Sequence, residues 1–164
     1  MMSISIEILK QQLLFRDMDI RLVEVIAEKA VFKSFKAGTY IIREGEPADA
    51  FYIITRGKAA LEMNGRQHTV VIQTVDTGEA LGWSWLVAPF EWTFSARAAE
   101  PTELIAIDGA YLRKQCDCNP LLGYELLRRI VDVLSSRLQA ARVQLLDIYS
   151  PPEYHRQNVK RGVK

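Results

Sequence analysis

The feature that most constrains this chain is a change of period along it. From Phe32 to Leu81 it consists of short β-type runs cut by Gly38, Gly45, Gly57, Gly65 and Gly78. Those glycines fall 7, 12, 8 and 13 residues apart, the spacing of turns between the strands of an antiparallel sandwich or barrel. Asn64-Gly65 is a strong hairpin signal, because a type I′ turn needs positive φ at both central residues. Residues 94–108, FSARAAEPTELIAID, read as two further strands broken near Pro101.

On either side of this region the period is helical. Residues 1–31 form an N-terminal helical segment, with apolar residues at Ile6, Leu9, Leu13, Leu22, Val25, Ile26 and Ala30, and Asp17 or Asp19 as cap of its second piece. After Pro120 an apolar seam runs through Tyr124, Leu127, Val131, Leu134, Leu138, Ala141, Leu145 and Ile148, with steps of 3, 4, 3, 4, 3, 4 and 3. That is a heptad seam, and a second stripe of Leu126, Ile130 and Val133 accompanies only its beginning. The expectation is a long helix that packs its start on the β domain and pairs the rest with its own copy in a parallel homodimer. The alternative is a helix lying along its own domain throughout. The boundaries that follow are 1–31 helical, 32–110 a β sensor, 111–149 C-terminal helices, and 150–164 a polar tail.

Composition narrows the function classes. With 21 basic and 20 acidic residues the net charge is +1, which gives no overall electrostatic footprint for nucleic acid or an anionic membrane. No basic leader or membrane-length apolar run is present, so the expected location is cytoplasmic. The only histidines, His68 and His155, and the pair Cys116 and Cys118 cannot assemble a metal, haem or iron–sulfur ligand set. The cysteines are expected as reduced thiols near a helix start. No cofactor is expected, and with no nucleophile–base pair in the sequence, neither is catalysis.

The stretch FKAGTYIIREGEPADAFYIITRGKAALE, Phe35–Glu62, resembles the early barrel strands of the cyclic nucleotide-binding domain of the catabolite activator (Crp/Fnr-like) family. More loosely, the resemblance extends from about residue 13 to 149. It implies a mainly β fold with flanking helices: a cyclic-nucleotide-binding-domain-like β jelly roll (double-stranded β-helix) followed by a long C-terminal dimerisation helix. Activators of that family continue into a DNA-binding helix-turn-helix. Here SPPEYHRQNVKRGVK supplies no recognition helix, so direct DNA binding is not expected and output passes to a separate protein effector.

The resemblance also implies a ligand cassette, residues 78–94 here, whose amides cradle a cyclic phosphate. In the family a Gly-Glu pair holds the ribose and an arginine neutralises the phosphate. Gly78-Glu79 and Arg97-Ala98-Ala99 imitate those elements, but Gly78 and Arg97 stand 19 residues apart, beyond the family spacing. Counting back from ARAAEPTELIAID places the phosphate position on Trp92, or on Thr93 if the cassette is one residue longer. TGEALGW places Gly82 on the family glycine and Trp83 on the carboxylate position. The candidate ligand-binding residues are therefore Gly82, Trp83, Ser84, Trp85, Leu86, Trp92 and Thr93. Three readings remain open: an aromatic-lined sensor pocket with few charges for an apolar or aromatic small molecule, a cassette sealed by its own side chains, and surviving cyclic AMP or cyclic GMP binding through Ser84 and the amides around Gly82–Trp85.

Overall fold

The computed structural model describes residues 4–64 and 69–149. They fall into two compact units that divide between Leu127 and Arg128. The first unit opens with α1 (Ile6–Gln11) and α2 (Ile20–Ala27). Asp19 begins α2, its side chain accepting a hydrogen bond from the Arg21 amide at 2.9 Å. This satisfies one of the donors that a helix start leaves open.

Eight strands follow: β1 (Ala30–Phe35), β2 (Tyr40–Ile42), β3 (Ala50–Arg56), β4 (Ala59–Asn64), β5 (Thr69–Val75), β6 (Ala80–Leu81), β7 (Ser95–Ala98) and β8 (Thr102–Asp108). They form two four-stranded antiparallel sheets, in the orders β1-β8-β3-β6 and β2-β7-β4-β5. The fold is a mainly β jelly roll with flanking helices and a long C-terminal helix. The first strand starts at Ala30, two residues ahead of the change of period seen in the sequence. The break at Pro101 separates β7 from β8 as expected. Strands β4 and β5 pair as a hairpin, while its turn, Gly65–His68, lies outside the described residues.

Burial follows from the register. β3 and β8 are covered on both faces over Ala50–Ile54 and Leu104–Ile107, which accounts for their nearly continuous apolar sequence. In the second sheet, Ala59 faces Ala98 and Leu61 faces Ala96, and all four are buried. Ala60 faces Arg97 and Glu62 faces Ser95 on the opposite face.

Asp108 ends β8 and starts α3 (Gly109–Cys118), accepting the Tyr111 amide at 2.6 Å. The single proton of the Tyr111 hydroxyl is shared between Glu28 Oε2 at 2.8 Å and Val25 O at 3.0 Å, bolting α3 to the end of α2. Burial first, and then the Glu28 carboxylate, push its pKa up to about 12. Helix α4 (Pro120–Tyr149) starts on a proline, whose missing N–H costs nothing in the first turn. In the first unit Leu122 and Leu126 of α4 are buried, whereas the seam residues Tyr124 and Leu127 are exposed. In the second unit Val131, Leu138, Ala141 and Leu145 are exposed and Leu134 is half-buried. The Ile148 side chain lies outside the described residues.

Candidate functional site

The cassette joins β6 to β7. At its start Gly82 has φ +76, and a Cβ there would meet Trp92 Cζ3 at 2.4 Å. Glycine is therefore needed twice over, for the left-handed backbone and for the space. The indole of Trp92 lies against the Gly82 backbone, only 3% exposed, with its ring 6.2 Å from that of Tyr52 in a stacked arrangement.

The alternation of the following strand decides which side chains turn inward. Trp92, Phe94, Ala96 and Ala98 are buried, whereas Thr93 and Arg97 are exposed. Of the two positions that the register left open for the phosphate contact, Trp92 is the one on the buried side. Trp83 is half-buried and meets Phe94 edge-on at 6.3 Å. Ser84 is buried, and Leu86 is half-buried. Trp85 is fully buried against Phe51, 5.3 Å between ring centres, and its indole Nε1 has no hydrogen-bond partner.

The backbone of the cassette is fastened along its returning limb. Gly45 N–H donates to Trp92 O at 2.8 Å, Trp92 N–H to Glu46 O at 2.9 Å, and Ala48 N–H to Phe90 O at 2.7 Å. Within the cassette, Leu86 N–H closes on Trp83 O and Phe90 N–H on Val87 O, both at 2.9 Å.

The two imitating charged groups are engaged elsewhere. The Glu79 carboxylate accepts the Asp76 amide at 2.7 Å in the preceding turn. Arg97 donates through Nε, at 2.8 Å, and through Nη2 to Glu62 Oε1 on the neighbouring strand. Glu62 is only 2% exposed. A cation that does reach the cassette is Arg113 of α3, which the sequence reading did not single out. Its Nη1 donates to the Trp85 carbonyl, and its guanidinium lies 4.1 Å from the centre of the Phe90 ring. Tyr52 was also missed. Burial, and secondarily Asp49, push its pKa up to about 12.

Among the described residues no group of three or more His, Cys, Asp or Glu is placed to hold a metal, and no helix is long and apolar enough to cross a membrane. Cys116 and Cys118 are free thiols at the end of α3. Burial and then Asp117 raise the Cys116 pKa.

Comparison with known proteins places this geometry. The family model "Cyclic nucleotide-binding domain" matches residues 32–119. A cAMP-dependent protein kinase regulatory subunit of Debaryomyces hansenii is 31% identical over 156 residues, 91% of this chain and 34% of that protein. The chain spans about a third of the length of the two kinase regulatory subunits that it matches. A solved structure from Geobacter metallireducens, described as of the cyclic nucleotide-binding type, superposes with a TM-score of 0.75 at 31% identity, covering 82% of this chain and 98% of that one. A cyclic nucleotide-binding-like protein of Brucella abortus does so with a TM-score of 0.55 at 32% identity, covering 66% and 94%. The match over 32–119, carried on these two sheets and the cassette between β6 and β7, makes the chain a member of the cyclic nucleotide-binding domain family.

Proposed function

We propose that this chain is a non-enzymatic regulatory sensor or adaptor domain with a degenerate phosphate-binding cassette, which does not bind cyclic AMP in the usual way. The observation that carries this reading is Trp92. An indole rests on the Gly82 backbone at the position where the family resemblance expects a guanidinium, and Trp83 occupies the position expected for the carboxylate.

Removing one partner of a buried, hydrogen-bonded charge pair costs roughly 2–5 kcal/mol. That corresponds to a loss of about thirty- to several-thousand-fold in affinity. The lost ribose contact adds to this, and the indoles occupy room that a sugar phosphate would need. Ligand selection, where it occurs, falls to aromatic packing rather than to charge.

The chain further acts as a homodimer through the seam of α4, does not contact DNA itself, and passes its signal to a separate protein. The exposure of Tyr124, Leu127, Val131, Leu138 and Leu145 supports the dimer. The relatives named as kinase regulatory subunits support an output through a protein partner. A ligand-free dimer module is the second reading, favoured by the burial of Trp85, Trp92 and Phe94 inside the cassette itself.

The test is intrinsic tryptophan fluorescence, since all three indoles of the chain lie in the cassette. Titration with cyclic AMP or cyclic GMP is expected to leave the emission unchanged. A saturable change at micromolar nucleotide overturns the reading.

A further inference from the structure

Helix α3 touches the cassette at two places one turn apart on the same face. At Gly109 a Cβ would lie 3.1 Å from Trp85 Cβ, tighter than an ordinary contact, and the Gly109 N–H donates to Asp49 O at 2.8 Å, so the start of the helix sits close against the cassette. Four residues on, Arg113 donates to the Trp85 carbonyl and covers the Phe90 ring. One side chain thus grips both ends of the segment 85–90. Phe90 has φ 60, a left-handed conformation that a phenylalanine holds only when its surroundings fix it. Trp85 gains no hydrogen bond from its indole, which leaves the carbonyl as its polar tie to α3.

We propose that Arg113 is a positioning residue, a latch that couples the cassette to helix α3. The segment 85–90 cannot shift unless α3 gives up both the carbonyl bond and the ring. Only a guanidinium serves both contacts, because it donates in its plane and stacks through its face. The latch stands whether the cassette takes a ligand or only its own indoles. Gly123 carries the coupling onward, since a Cβ there would lie 3.3 Å from the Cys116 carbonyl, packing the start of α4 against the end of α3.

Hydrogen exchange of the full chain, resolved by peptide, tests the latch with Arg113→Met, Arg113→Lys and Phe90→Leu. Arg113→Met removes both contacts, Arg113→Lys keeps a donor, and Phe90→Leu keeps the carbonyl bond. In Arg113→Met the amides of Leu86, Phe90 and Trp92 are expected to exchange roughly tenfold faster or more, with β3 and β8 unchanged. The other two variants are expected to fall between. Cassette exchange at the wild-type rate, or equal acceleration of every peptide, overturns the proposal. Should Arg113→Met fail to fold, faster exchange confined to the cassette in Phe90→Leu supports the latch, and wild-type rates in both remaining variants overturn it.

Discussion

Arg97 and Glu62 are paired across β7 and β4, with two guanidinium nitrogens on one carboxylate oxygen that is almost fully covered. The arginine of the Arg-Ala-Ala run that resembles a phosphate-binding signature is thereby spent on an outward-turned position of the second sheet. Arg97→Met leaves the Glu62 carboxylate covered and without its cation, so the midpoint of thermal unfolding is expected to fall. Adding Glu62→Gln removes the orphaned charge and should recover most of the loss. Scanning calorimetry of the two single variants and the double variant measures the coupling.

Gly82 and Trp92 form the second dependent pair. Gly82→Ala must place a side chain at positive φ and push Trp92 from its seat, with an expected destabilisation of at least about 2 kcal/mol. In a Trp92→Ala background the steric part disappears and only the backbone strain remains. Urea unfolding of the four chains of this cycle reads the difference.

The α4 seam predicts an oligomeric state. Leu134→Asp combined with Leu138→Asp places carboxylates along the apolar stripe and should give monomers in sedimentation velocity, where the wild type is expected to sediment as a dimer. A dimer mass retained by the variant would reject the seam.

Two tyrosines set an alkaline limit. Burial pushes Tyr52 and Tyr111 up to about 12, Tyr52 with help from Asp49 and Tyr111 with help from Glu28. Their folded pKa values lie above the ordinary value of about 10, so the stability they lend is complete below about pH 10 and lost as the pH rises through about 12. Tyr111→Phe has no proton to lose there and should flatten part of that decline. Absorbance titration of phenolate alongside thermal unfolding at pH 9 to 12 checks it.

How far the sequence carried this picture depends on the range of the interactions. Turn glycines, the heptad steps and the break at Pro101 are local signals, and the β region, which begins two residues early at Ala30, the β7–β8 break and the long helix α4 follow them. Counting back by the family register left Trp92 or Thr93 open at the phosphate position, and only the folded chain shows Trp92 buried and Thr93 exposed. The Arg97–Glu62 pair was not, since 35 residues separate the partners and a glutamate in a half-exposed strand reads as solvated. Nor was Arg113, which lies 28 residues from Trp85 and looks like any helix-surface cation until the chain is folded. The two-residue strand β6 is too short to carry a period at all.

Isothermal calorimetry of the purified chain with cyclic AMP tests the central claim most directly. With Trp92 and Trp83 at the proposed phosphate and ribose positions, no saturable heat is expected at micromolar nucleotide. A one-to-one isotherm with a micromolar dissociation constant would contradict the account.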